Sequence, residues 1–359
     1  MTGYKLEKWN LSELIKNPTR NNIDKRLAEI EKNVKRFEKA KKSLSPNISA
    51  SKFLKLLHDV ERIDEKASII GGYASLRYSE NTQSDEATAL LSKISKFGAD
   101  MENRMLFFDL WWKKKIDEKN AKRLMKSTGN LTDYLRFKRL LSKYSLSEPE
   151  ERIINTLDVT GSNALVKLYD KITNAYIYVV TINGKKKTMN REQLTTLVRN
   201  KNPKIREMSY KALFSKYTEN KGVTGEIYQN IVQNWRDEGI GMRGFSSPIM
   251  IRNISNDIDN KTVSTLLDVC KKNTGIFQKY FAQKAKLVGV KKLRRYDLYA
   301  PTKSKIKQKS YSYDNAIKLV LESLGRFSPK LSGYANDVFR KKHVDSAIRP
   351  GKASGAFCS

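Results

Sequence analysis

The sequence predicts a mainly α-helical protein, and two observations carry that class. Apolar residues recur at spacings of three and four over long stretches of the N-terminal half. Against that background a single segment, residues 176–182, has the β-branched and aromatic richness of a strand. A third observation bounds the core: 359 residues with 39% hydrophobic content can bury one large domain or two to three smaller ones.

Ile23, Leu27, Ile30, Val34, Phe37 and Leu44 fall on one stripe of a first long helix, with Asn21 or Asn22 placed to cap its start and Ser45-Pro46 to end it. Phe53, Leu56, Leu57, Val60, Ile63, Ala67, Ile70 and Ala74 share a face of a second helix that ends near Tyr78, before the polar loop 79–85. A third helix begins near Asp85 and carries Ala87, Leu90, Leu91, Ile94, Phe97, Met101, Met105, Phe108 and Trp112 at helical intervals. Its aromatic cluster Phe107, Phe108, Trp111 and Trp112 reads as core rather than as a ligand-stacking box. Shorter helices follow near 118–125 and 131–143, and Ser147 is a good N-cap for a helix that tolerates Pro149 in its first turn.

The strand at 176–182 runs into Asn183-Gly184, the dipeptide that a two-residue type I′ turn prefers, so a hairpin returning through 186–189 is expected. Asn190 caps a new helix, and Pro203 begins another with Ile205, Met208, Ala212, Leu213 and Tyr217 on one side. Helices near 225–237, 259–288 and 313–324 complete the chain. Gly239, Gly241 and Gly244 have the spacing of a dinucleotide loop, but no convincing strand precedes them, and a turn between helices is the expected structure.

Composition excludes several classes. The apolar runs at 105–108 and 176–180 fall far short of the roughly 20 residues that cross a bilayer, so no span is expected. The first nine residues lack the apolar core of a signal peptide. Cys270 and Cys358 are too few for a disulfide scaffold, and a reducing cytoplasm fits best. With 70 Lys+Arg against 38 Asp+Glu, the formal charge of +32 would draw nucleic acid or acidic surfaces. The basic residues, however, lie in short runs scattered from end to end with acids interleaved, which argues for a solvated lysine-rich surface and against nucleic-acid binding.

Little chemistry is visible in the side chains themselves. His58 and His343 each lack a second histidine or cysteine at metal-ligand spacing, and zinc needs three converging protein ligands. Cys270, in Leu266-Leu-Asp-Val-Cys270, reads as buried helix packing. No nucleophile–base arrangement can be assembled without picking residues freely, so no catalytic residue and no metal ligand is assigned.

Motifs in a fixed order supply the rest. Trp9-Asn-Leu-Ser-Glu-Leu14, the region from Tyr134 to Ser147-Glu-Pro-Glu-Glu151, the hairpin, Pro203-Lys-Ile-Arg-Glu-Met-Ser-Tyr-Lys-Ala212, Tyr296-Asp-Leu-Tyr-Ala-Pro301 and Gly351-Lys-Ala-Ser-Gly-Ala-Phe-Cys358 together resemble oligoendopeptidase F, a zinc metallopeptidase family of the thimet oligopeptidase superfamily. The resemblance implies a multi-helix metallopeptidase fold. It would comprise an N-terminal helical lobe at 1–112, an oligoendopeptidase F-type N-terminal domain at 113–202, and the start of a helical catalytic lobe at 203–359. It implies short peptide substrates and a zinc cofactor held by an HExxH helix and a further glutamate, but no HExxH occurs in these 359 residues. The chain is therefore expected to be the part of such an enzyme that precedes its zinc site, inactive alone, short of stoichiometric zinc, and exposing an apolar face. Ala353 stands where the family pattern leads one to expect a basic residue. The family pattern also makes Gly355, Ala356, Phe357 and Cys358 a substrate-binding strand at the cleft edge, where small residues let a peptide backbone approach. The alternative reading is a non-catalytic helical binder of peptides or nucleic acid. Oligomeric state is left open.

Overall fold

A computed structural model describes residues 3–302 and 310–359, and the described residues are mainly helical with one two-stranded sheet. The three long N-terminal helices are α1 (Arg20–Glu38), α2 (Ala50–Glu80) and α3 (Asp85–Leu110). Each starts on a hydroxyl cap that accepts from a backbone N–H three residues on, from Thr19, Ser49 and Ser84 respectively. The first cap is thus Thr19 rather than an asparagine: Asn22 is the residue whose N–H donates to it, at 3.3 Å. Helix α1 also stops sooner than Ser45-Pro46, tightening into a 3-10 turn at Lys39–Ser43.

The predicted stripes are what these helices bury. Ile30, Val34, Phe53, Ile63 and Ile70 are all at most 2% exposed. Phe53 stacks on Trp112 with ring centroids 5.0 Å apart, and Phe37 meets Phe107 and Phe108 at 5.5 Å, so the aromatic cluster is core. The end of α3 widens into a π-helical turn at Trp111–Lys115, which turns Trp112 inward to donate its indole N–H to the Leu135 carbonyl at 2.9 Å. Helices α4 (Glu118–Met125) and α5 (Thr132–Leu140) close this core through Leu124 and Leu135, so it runs from Ile15 past residue 112 to Leu135.

Helix α6 (Glu148–Thr160) begins on the Ser147–Glu150 capping box, and α7 (Ser162–Asn174) follows after Gly161. Strands β1 (Tyr178–Ile182) and β2 (Lys185–Met189) pair antiparallel, with Ile182 opposite Lys185. Asn183 and Gly184 take φ of 52° and 75°, the positive pair that a type I′ turn requires. Tyr178 and Val180 point inward onto Leu194 and the face of α9 that carries Met208, Ala212 and Leu213. Asn190 caps α8 (Arg191–Thr196) through a second capping box, and Asn202 caps α9 (Pro203–Glu219).

Beyond this come α10 (Lys221–Arg236), α11 (Pro248–Ser255), α12 (Asn260–Lys272), α13 (Thr274–Val288), α14 (Tyr313–Phe327) and α15 (Pro329–Arg340). The helix expected over 259–288 is thus two helices. Asn273 ends the first by donating its side-chain amide to the Val269 carbonyl at 2.8 Å, and Gly275 weakens any continuation. The glycine-dense stretch is a π-helical extension of α10 over Asp237–Met242, not a plain turn, with Gly244 at φ 73° completing the exit. Arg243 anchors it to α6 through two bonds to Glu151 at 2.7 and 2.9 Å.

One feature of this region departs from its sequence reading. Cys270 is exposed, because α12 packs no side chain into a core. The α12–α13 pair instead presents Leu266, Phe277 and Tyr280 to solvent, which agrees with the expectation of an exposed apolar face. The chain here also holds a buried ion pair. Arg206 on α9 and Asp297 are 1% and 2% exposed, and the guanidinium gives two bonds to one Asp297 oxygen at 3.0 and 2.6 Å. Its remaining donors reach the carbonyls of Asn200 and Lys201, and the other Asp297 oxygen accepts from the Arg294 N–H. Two of the quoted motifs are therefore one structural unit. Arg206→Met alone is expected to cost about 3–5 kcal/mol in denaturant unfolding, because Asp297 would be left charged in the interior, whereas adding Asp297→Leu should recover most of the loss. Equal loss in the single and double variants would contradict this assignment.

Candidate functional site

The segment that carries Gly355, Ala356, Phe357 and Cys358 is placed by a clasp between the two ends of the chain. After α15 the backbone turns at Lys342 (φ 59°), and Lys342 accepts the Asn10 N–H at 2.7 Å. Glu7 accepts the Ser346 N–H at 2.9 Å and donates its own N–H to the Ser346 hydroxyl at 3.1 Å. Tyr4 donates its N–H to Asp314 and its hydroxyl to Asn336, both at 2.9 Å. The N-terminal segment thus lies along α14, α15 and the chain that follows them.

Charge holds the next turn. The Asp345 side chain is 1% exposed and receives Arg349 through two nitrogens, at 2.8 and 2.5 Å, and Lys352 at 3.1 Å. Arg349 also donates to the Glu80 carbonyl at 2.9 Å. The Glu80 carboxylate, itself buried, pairs with Lys8 at 2.6 Å and Arg77 at 2.8 Å. Burial pushes both carboxyls up, but the hydrogen bonds and charges of these cations more than offset it, so Asp345 and Glu80 are both held below their ordinary values.

The backbone then docks on the loop between α2 and α3. The Gly351 carbonyl accepts from both the N–H and the hydroxyl of buried Thr82, at 2.7 and 2.9 Å, and the Ala353 N–H donates to the Ser79 carbonyl at 2.9 Å. Gly351 has φ 77°, and a Cβ there would sit 2.5 Å from the Asn81 Oδ1. Any side chain there would be strained in the left-handed region and would have to displace the Asn81 amide.

Four residues further on, the chain leaves the surface. Gly355, Ala356, Phe357 and Cys358 are all exposed, and Phe357 makes an edge contact with Trp9 at 6.3 Å between ring centroids. The segment is not a strand of the described sheet, a correction to its sequence reading. A strand needs a partner ladder, and here Gly355 sits at φ 87°, outside the extended region. What remains is an accessible backbone with small side chains at its start.

The histidines stay apart. His58 meets Glu61 at 2.7 Å on the exposed side of α2, and His343 meets Glu13 at 3.2 Å. Among the described residues no group of three or more His, Cys, Asp or Glu is placed to hold a metal ion. The described donors therefore do not fit a zinc centre. No described helix is long and apolar enough to cross a membrane.

The profile of peptidase family M3 matches residues 196–359, which include α9 to α15 and the docked segment. An oligoendopeptidase F homolog of Borreliella burgdorferi is 23% identical over 361 residues, covering 98% of this chain and 58% of the relative. A second, from Lactococcus lactis subsp. lactis, is 23% identical and covers 86% of this chain and 52% of the relative. The chain thus spans little more than half the length of these curated relatives. Among solved structures, oligoendopeptidase-F from Enterococcus faecium superimposes with a TM-score of 0.70 at 20% identity, over 90% of this chain and 67% of that one.

Two outcomes test the clasp. Gly351→Ala is expected to cost at least about 1–2 kcal/mol of local stability through its left-handed backbone alone, read as lost hydrogen-exchange protection at the Thr82 and Ala353 amides, and unchanged protection would contradict the docking. Because Asp345 and Glu80 have depressed values when folded, their stabilisation is complete above the ordinary carboxylate range and is lost as pH falls through the lowered values. The Gly351 and Thr82 amide resonances should therefore be constant near neutrality and shift below about pH 4.

Proposed function

We propose, from the premise that this chain belongs to peptidase family M3 and is a homologue of oligoendopeptidase F, that its residues form the peptide-holding part of a zinc-dependent oligopeptidase acting on short peptides. The observation that carries the reading is the exposed, glycine-bearing segment 355–358, held in place by the Gly351–Thr82 docking and lying within the region matched to peptidase family M3. An accessible backbone of this kind offers N–H and C=O groups to an extended peptide, with Gly355 and Ala356 leaving room for close approach. In the division proposed here, 1–112 and 113–202 form the enclosing helical part and 203–359 belongs to the peptidase domain. The low cysteine count favours a reducing compartment such as the cytoplasm as its location.

Zinc, when bound in such an enzyme, polarises the scissile carbonyl and activates water. These 359 residues supply no HExxH, and their described acids and histidines do not converge on a metal. That observation favours a second reading for the polypeptide by itself, a peptide binder without hydrolytic activity.

Peptide binding tests what both readings share. Labelled octapeptides should bind, and the same peptides N-methylated at alternate amides should bind roughly tenfold more weakly, since each lost backbone bond is worth about 1 kcal/mol. Equal affinity of the two would remove backbone pairing from the account. Metal analysis of the purified chain is expected to give far less than one zinc per chain, and a bound equivalent would reveal ligands unaccounted for here.

A further inference from the structure

Away from the clasp, a groove of about 700 Å³ runs between α2 and α3 and is closed at one side by α5. Leu57, Phe108, Trp112 and Leu135 form an apolar wall, continuous with the N-terminal core. Five carboxylates line the same space: Glu61, Asp64, Glu65, Glu102 and Asp109. Their presence runs against the composition, because cations outnumber acids by 70 to 38 in the whole chain.

Two of the five are matched. Asp109 pairs with Lys113 at 2.5 Å and with Lys138 at 3.0 Å, and Glu61 meets His58 at 2.7 Å. Asp64, Glu65 and Glu102 make no ion pair among the described residues, although the chain carries a surplus of 32 positive charges. All three are exposed to solvent at the groove rim, yet partial desolvation there raises the Asp64 carboxyl above its ordinary value, and desolvation followed by the Asp64 charge raises Glu102, with Lys138 of the same groove opposing both shifts. Lys138 is ion-paired to Asp109 and offsets this only in part, so a further cation beside Asp64 and Glu102 would relieve both. A metal ion is a poor candidate, since the described residues bring no third ligand of the usual kinds to them. A guanidinium or ammonium on a carbon stem suits the site better: its head would meet the carboxylates while its methylenes, and an apolar neighbour, lie on the Phe108 and Trp112 wall.

We infer that this groove binds an arginine or lysine side chain of a peptide, next to an apolar residue, and so favours basic-apolar peptides among the substrates. The inference rests on the peptide-binding reading above and narrows it. Long-range repulsion from the chain's net charge would otherwise disfavour such ligands, so the acidic groove acts as a local inversion of the surface field.

The test compares an octapeptide carrying one arginine flanked by leucine and phenylalanine with the same peptide carrying citrulline, a neutral isostere. Fluorescence anisotropy should show the arginine peptide binding about tenfold tighter to the wild-type chain, with the preference shrinking as salt rises. In D64N/E102Q the preference of the arginine peptide over the citrulline peptide should vanish. The single D64N and E102Q variants should each show part of the loss, which keeps the test open if the double variant folds poorly. Equal binding of the two peptides by wild type would overturn the groove assignment and leave the peptide reading standing. A preference that survives in folded D64N/E102Q would also overturn it. Failure of both peptides to bind would overturn the peptide reading and this inference with it.

Discussion

The contact on which the arrangement depends is the docking of the Gly351 carbonyl on Thr82. A residue near the C-terminal end of the sequence is fixed to the loop joining two helices of the N-terminal core, across 269 positions of chain. The loop can receive it because Thr82 is fully buried yet offers two donors to the same oxygen. The segment can deliver it because Gly351 adopts a left-handed conformation and brings no Cβ toward Asn81. Around this point Asp345, Arg349, Lys352 and Glu80 form a charged knot in which each carboxylate has more than one cation. Removing one cation would leave a partly desolvated charge, which makes the knot more a device for position than for net stability. Its outcome is that residues 355–358 project from a fixed base.

The parts of the fold that were legible in the sequence are those decided locally. Helices α1 to α3 bury one stripe each, and the period of that stripe is written in residues three and four apart, so Ile23 to Phe37 and Phe53 to Ala74 could be read directly. Asn183-Gly184 needs nothing beyond its own backbone preferences to make a turn, and Ser147 and Asn190 bond to groups three residues away. Where the sequence misled, a competing local option won or no packing partner existed. Thr19 outcompeted Asn22 as a cap by lying at the position whose side chain reaches the free N–H groups. Asn273 turned a long apolar period into two helices. Cys270 reads as core on periodicity, but periodicity names a face without saying that anything covers it, and α12 leaves that face in solvent.

The site was less legible because its determinants are non-local. Gly355, Ala356, Phe357 and Cys358 were singled out as candidates by likeness of motif, not by physics, and the strand geometry that likeness suggested is absent. Nothing in the sequence around Ser79 to Thr82 announces that it will hold a distant carbonyl. The one available signal was the four-residue spacing of Asp345 and Arg349, which does form the central pair. Arg206 and Asp297 show the same limit from the other side. Both stood inside recognised motifs, yet an arginine on a helix face reads as solvated, and its burial becomes visible when the 296–301 segment is laid against α9. The acidic groove was hidden for a different reason: its carboxylates come from α2 and α3, each unremarkable on its own helix.

The central claim is that a short peptide lies against the exposed backbone of residues 355–358 while the Gly351 docking holds that segment still. Photo-cross-linking tests it most directly. A short peptide carrying a diazirine side chain is irradiated with the protein and the adducts are mapped by mass spectrometry. The account predicts adducts on Gly355 to Cys358 and on the neighbouring Trp9, competed away by unlabelled peptide. Competable adducts confined to the α12–α13 pair or to the β1–β2 hairpin would contradict it.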